Sequence, residues 1–398
     1  MLPLRHREWA IGMAAFPSQW PTSACRSFLG GWAVRAVGKA FAAAVAVGLH
    51  VFPLAPCSAQ APAAGTGDVA ATLARLNIDL PRNVAASAPV HGPLEQLTRE
   101  TCDQDAILHL GTALDGAGYR REAAVAQINF SSQCGGYAPA LRGAINTLLK
   151  LSDYTTAETT AADLIRLEPY NDNGYFLRAL ARDGNKSYKG AIDDFVTAIE
   201  LFGNKDRISS SSYYKMARDY EKLGQFCDAM LPLEQWVALD PSRHDSSQVQ
   251  AMLSDYAAKG GCAAATSGGE ERFPAARPGG VVKVPVVVNN VPATFILDTG
   301  AAYVSLKDSF AKKAKVEIEA SSSVHLHTAN GIAEAKRGRA DTIQLRSLKA
   351  KSVPVVVEAD SAAAYGDGVD GLLGLSFLSR FNMTIDGRSV RIAPNKPR

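Results

Sequence analysis

Ala123, Ala157, Ala191 and Ala229 recur at intervals of 34, 34 and 38 residues. A fixed period of this length marks stacked supersecondary units rather than a single irregular core. In the first three units the alanine follows a tyrosine: Tyr119, Tyr154 and Tyr188. A small residue at each site lets two antiparallel helices approach closely. Pro169 in Leu167-Glu168-Pro169 and Pro241 in Leu239-Asp240-Pro241 close two of the units, because proline cannot continue a helix. Residues 100–259 are therefore expected to form paired helices whose apolar stripes are buried only by stacking on their neighbours. The longer last interval predicts an insertion between Ala191 and Ala229.

Ala217, Tyr220, Gly224, Phe226, Ala229 and Pro241 stand in an order that resembles the tetratricopeptide motif. The earlier units echo it, the first one degenerately. The resemblance implies an array with a concave groove for a protein partner, whose identity the residues do not give.

The helical pattern breaks at Gly260-Gly261. Residues 260–280 are rich in Gly, Pro, Ser and Ala without periodicity and read as a linker. Beyond it the period changes to that of strands. Val281–Val288 and Thr294–Leu297 bracket Asn289-Asn290-Val291-Pro292, a hairpin that delivers Phe295-Ile296-Leu297 into Asp298-Thr299-Gly300-Ala301. Val324–Thr328 and Ile332–Ala335 flank Ala329-Asn330-Gly331, and Asn-Gly between extended runs is a hairpin signal. Val353–Glu358 and Met383–Ile392 add strands, so residues 281–394 are expected to be a mainly β domain. The apolar run fixes the backbone before Asp298, and Gly300 is expected to permit a tight turn. A carboxylate held at such a turn, beside a second copy, shares one proton with it, because adjacent like charges cannot both ionise. The ionised member then acts as general base toward water.

Asp298-Thr299-Gly300-Ala301 after an apolar strand resembles the active-site loop of the retropepsin-like aspartic proteases. Gly371-Leu372-Leu373-Gly374 resembles the apolar-apolar-Gly element of that family, with Leu375–Phe381 as the short helix that follows it. The hairpin at Ala329-Asn330-Gly331 resembles its flap. The resemblance covers residues 279–394. It implies Asp298, Thr299 and Gly300 as catalytic residues, and Ala301, Ala329, Asn330 and Gly331 as contacts to a polypeptide substrate. It also implies hydrolysis by water without cofactor, metal or covalent intermediate. The chain holds one Asp-Thr-Gly in 398 residues, so the family's paired carboxylates imply a homodimer with one Asp298 from each subunit.

A net charge of +3 and a sequence pI near 8.4 argue against a nucleic-acid partner. At the N-terminus, Arg35 and Lys39 precede the apolar run Ala40–Leu49, and Cys57-Ser58-Ala59 precedes Gln60. This reads as an export signal over residues 1–59 and predicts a periplasmic protein, or a membrane-anchored one if the signal is retained. Residues 60–99 are Ala/Pro-rich and read as a loose lead-in with a short helix at Val69–Leu76. Cys102, Cys134, Cys227 and Cys262 would remain after cleavage, an even number in an exported chain. Pairing Cys102 with Cys134 and Cys227 with Cys262 is one of three connectivities. His325 and His327, two apart on a strand, share a face and read as solvated flap residues rather than metal ligands. Ser376 lacks the second glycine of a nucleophile elbow. The expectation is an α + β multidomain protein, a helical repeat array followed by a retropepsin-like peptidase domain. A binding or assembly factor with an inactive protease fold is the rival class.

Overall fold

The structure is a computed structural model, and it describes residues 68–204, 207–262, 266–274, 281–328, 331–361, 365–386 and 389–394. The export signal, Ala329 and Asn330 lie outside the described residues. The helical part begins with α1 (Val69–Leu76), α2 (Arg82–Ala85) and α3 (Ala88–Arg99). Asp68 caps α1 by accepting from the Ala70 amide. The short helix expected at Val69–Leu76 is α1, and among the described residues the rest of the segment read as a loose lead-in adds α2 and α3. Val90, Leu94 and Leu97 form a stripe on α3 that packs with Leu76 against Leu110 and Phe130 of the first repeat. The prolines that suggested disorder include Pro89, in the first turn of α3 where a missing N–H costs nothing.

Four helix pairs follow. They are α4 (Gln104–Gly116) with α5 (Arg120–Gln133), α6 (Ala138–Lys150) with α7 (Tyr154–Leu167), α8 (Asp172–Gly184) with α9 (Tyr188–Leu201), and α10 (Ser210–Lys222) with α11 (Phe226–Leu239). After α12 (Pro241–His244), α13 (Ser247–Gly260) packs on α11 and closes the stack. Ala123, Ala157, Ala191 and Ala229 lie in the first turns of α5, α7, α9 and α11 and are buried in the helix contacts. The expected insertion is the longer connection between Leu201 and Ser210. Disulfides join Cys102 to Cys134 and Cys227 to Cys262, one at each end of the array.

The C-terminal part is built on a large mixed sheet. Its strands are β1 (Thr266–Ser267), β3 (Val282–Val288), β4 (Val291–Leu297), β5 (Val304–Lys307), β6 (Glu317–Ile318), β7 (Val324–Thr328), β8 (Gly331–Leu345), β9 (Leu348–Glu358) and β10 (Gly371–Leu373). Along the sheet the order is β1-β9-β5-β10-β4-β3-β8-β6, with β7 paired to β8 and β8 also paired to β9. Pairing of β8 with both β3 and β9 curls the sheet toward a barrel. A second sheet has the order β11-β12-β2, from β2 (Glu271–Pro274), β11 (Phe381–Ile385) and β12 (Ser389–Pro394). Short helices α14 (Asp308–Lys313) and α15 (Leu375–Leu378) complete the fold. The helix expected to reach Phe381 ends at Leu378, and Phe381 opens β11 instead.

The stretch read as a linker is partly built into the sheets. β1 pairs with β9, β2 pairs with β12, and Phe273 enters the β core. Only Phe273 of Glu270–Pro274 is a large apolar residue, too little to show periodicity.

One core runs through both parts. Phe195, Tyr213 and Tyr220 of the array pack in the same buried cluster as Tyr303, Val324, Leu326 and Val356 of the β part. Polar links flank it. Arg337 bonds Asp193 and Glu319, and Arg339 makes a two-pronged pair with Asp228 at 2.9 and 2.6 Å. The array and the β domain are therefore fused along α9–α11.

Candidate active site

Asp298 stands where β4 leaves the sheet. β4 lies between β3, antiparallel, and β10, parallel, with Ile296 opposite Leu372 and Leu297 opposite Leu373. The ladder continues one step beyond the strand, since the Asp298 amide donates to the Leu373 carbonyl at 3.1 Å. The half-buried Asp298 side chain then folds over its own turn and accepts from the Gly300 amide at 2.8 Å. Gly300 is absent from the left-handed backbone region, so the turn needs the glycine for room rather than for a positive φ. A Cβ there would stand 3.2 Å from the Asp298 carboxylate. The glycine therefore makes room for the carboxylate itself.

The loop after Asp298 is anchored by the motif that follows β10. Leu375 and Ser376 amides donate to the carbonyls of Ala301 and Ala302 at 2.8 and 3.0 Å. Ser376, fully buried, accepts the Val304 amide on its hydroxyl at 2.8 Å. Ser376 thus braces the Asp298 loop. Close approach explains the two glycines of Gly371-Leu372-Leu373-Gly374. A Cβ at Gly371 would sit 2.1 Å from the Ser305 carbonyl oxygen, and one at Gly374 would sit 2.1 Å from that of Tyr303.

Asp298, Gly300 and Ala301 line a cleft of about 460 Å³. Leu326, His327 and Thr328 of the β7–β8 hairpin contribute to the same cleft. The structure thus brings together the Asp298 loop and the hairpin that the sequence suggested. Thr299 is exposed and stands outside the lining. Gly331 is exposed at the start of β8 and also lies outside it. His325 is not a solvated flap residue. Its ring is half-buried against Tyr170 and Tyr175 of the array, and its amide donates to the Thr197 hydroxyl at 3.1 Å.

The cleft contains groups that sequence reasoning missed. Glu358 at the end of β9 is buried and accepts from Ser305 and, at 2.6 Å, from the Tyr365 hydroxyl. Burial first, and then the Glu358 charge, push the Tyr365 hydroxyl well above its usual range. Glu200 comes from α9, so the array supplies part of the wall. The Gln235 side chain of α11 donates to the Ala302 carbonyl at 2.9 Å. Glu358 ends a run of valines and reads in sequence as an edge charge, and no local signal ties Glu200 or Gln235 to a site more than 60 residues away.

Residues 284–380 match the family described as "gag-polyprotein putative aspartyl protease". The C-terminal domain is retropepsin-like. Among solved structures, a retropepsin-like aspartic protease from Rickettsia conorii is similar at 26% identity. The match covers 31% of this chain and 98% of that one, with a TM-score of 0.25. MamA from Desulfovibrio magneticus RS-1 is similar at 18% identity over 45% of this chain and 98% of its own, with a TM-score of 0.34. A thermophilic TPR protein of Thermus thermophilus is similar at 18% identity over 40% of this chain and 84% of its own, with a TM-score of 0.30. No curated protein is significantly similar in sequence. The domain is preceded by tetratricopeptide-like helical repeats, the paired helices α4 to α11.

Proposed function

We propose that the protein is an aspartic endopeptidase in which two copies of Asp298, one from each subunit of a homodimer, activate a water molecule against a peptide carbonyl. The observation that carries this reading is Asp298 itself. Its carboxylate sits on a glycine-cleared turn, braced by β10 and α15, in a cleft also lined by a hairpin. One chain offers one such carboxylate, and the chemistry needs two with a single shared proton. Exposed Thr299, beside Asp298, is available to bond across a two-fold axis to its copy. Gly300 keeps the carboxylate free of steric contact, and Ala301 lines the cleft beside a bound chain. Ala329, Asn330 and Gly331 would contact the substrate.

Leu326, Val356 and Leu372 make part of the lining apolar, which suits an extended polypeptide. The repeats would recruit a protein partner or substrate, and the N-terminal segment would direct the protein to an oxidising compartment, in keeping with the two disulfides. Incubating wild type and Asp298→Asn with a mixed peptide library at several pH values, read by mass spectrometry, tests the reading. Cleavage by wild type alone is the expected result. Sedimentation velocity should find a dimer in the active preparation, and cleavage that persists in Asp298→Asn would remove the proposed chemistry.

A further inference from the structure

The cleft holds three carboxylates, Asp298, Glu358 and Glu200, and no lysine or arginine among its described lining residues. Acidity alone would be an ordinary surface property. Glu358 makes it specific, because only 2% of the residue is exposed and it ends inside this lining. Its Oε1 is held by Ser305 and by Tyr365, whose hydroxyls also lie 2.5 Å from each other. Its Oε2 has no hydrogen-bond partner among the described residues. A buried carboxylate oxygen left unpaired is costly, and native structures seldom keep one without a use. Ser305 and Tyr365 fix the side chain through one oxygen and leave the other for a donor that the described residues do not supply.

We infer that Glu358, supported by Glu200, forms a subsite that takes a cationic lysyl or arginyl side chain of a peptide substrate. A lysine brings three N–H donors and an arginine five, and either brings the positive charge that the cleft's described lining lacks. Glu200 adds a second negative group from the array, so the subsite is shared between the two parts of the protein. The strand order places it relative to Asp298. β5 and β9, which carry Ser305 and Glu358, lie two and three strands from β4.

This inference rests on the peptidase reading, and its test keeps the two separable. Full-length Asp298→Asn, which should bind without cleaving, is titrated with pairs of fluorescent decapeptides that differ only by lysine or norleucine at one position. Fluorescence anisotropy at low salt should show the lysine peptide binding at least tenfold tighter at one register. In Asp298→Asn/Glu358→Gln, whose glutamine keeps an oxygen for Ser305 and Tyr365, the ratio should fall to within about twofold, as expected for loss of a charge-assisted hydrogen bond. Glu200→Gln in the same background should reduce it partially. A melting curve for each variant establishes that it is folded. Equal affinities, a preference indifferent to Glu358→Gln, or no binding to either peptide overturns the subsite. Cleavage of the library by wild type without a basic preference would sink this inference and spare the peptidase. A lysine preference in binding without cleavage by wild type would do the reverse.

Discussion

Replacing Arg337 by methionine should loosen the whole protein, because Arg337 sits in the seam between the array and the β7–β8 hairpin. The guanidinium side chain is 7% exposed and the Asp193 side chain 10%. Its Nε donates to Asp193, and its Nη2 donates to Glu319 at 3.0 Å and to the Lys189 carbonyl at 3.4 Å. Asp193 also accepts from the Ser322 hydroxyl at 2.9 Å, and that hydroxyl in turn accepts the Arg337 amide. Methionine keeps most of the volume but strands Asp193 as a buried charge with one hydroxyl donor. Breaking a buried pair in this way costs about 3–5 kcal/mol, whereas removing both charges is near neutral. Arg337→Met should therefore lose about 3–5 kcal/mol, and Arg337→Met/Asp193→Leu should recover most of it. The sign with pH follows from Asp193. Burial already raises its carboxyl above the usual range, with Arg337 opposing that rise. Without Arg337 the group rises further, so the folded variant favours the protonated acid. The penalty is then largest at neutral pH and shrinks on acidification. Urea unfolding of the four members of the cycle at two pH values measures this. Hydrogen exchange in α9 and β7 should accelerate together in the single variant, as expected of one shared core. A loss under about 1 kcal/mol, or additive single effects, would refute the seam as an energetic unit.

Asp219 on α10 is buried, and that burial together with the nearby Asp183 carboxylate pushes it up to about 8. Its folded value lies above its unfolded one, so its stabilising contribution is complete below about pH 4 and is lost as pH rises through 8. Asp219→Asn should raise the melting temperature at pH 8–9 relative to wild type, with the difference falling by up to about 1.4 kcal/mol per pH unit on acidification; a pH-independent difference would contradict it. Gly374→Ala should cost more than about 3 kcal/mol, because its Cβ meets backbone oxygens of Tyr303 and Ala301 at 2.1 and 2.7 Å. Denaturant melts check this, and library cleavage should fall with it as the Asp298 loop loses its brace. Replacing Cys102 and Cys134 by serine opens a loop of sequence separation 32, worth about 3–4 kcal/mol in the chain-entropy account. Calorimetry of the variant should show that loss, and an unchanged transition would count against a stabilising disulfide.

Much of the fold and part of the site could be read from residues whose reason is local. The alanine period follows from helices that must cross closely within one repeat, and Asn289-Asn290 follows from two left-handed residues, φ 47° and 68°, in a hairpin turn. Asp298-Thr299-Gly300 is likewise a local statement about a strand end. What stayed hidden depends on contacts distant in sequence. Asp193 sits among apolar residues of α9, where a charge ordinarily marks the solvent face, and its partner lies 144 residues away. Tyr303, just before β5, carries no local mark of the core it shares with Phe195 and Tyr220. The strand β2 escaped notice because a stretch with one core residue, Phe273, carries no period. These misses share a consequence for function. Three of the groups that tie the array to the β domain, Gln235 on Ala302, Thr197 on His325 and Glu200 in the cleft, touch the Asp298 loop, the hairpin or the space between them. A linker would let the repeats deliver a partner from a distance. A shared core instead makes the position of α9 and α11 part of the shape of the cleft, so a partner that shifts those helices must also reshape the cleft.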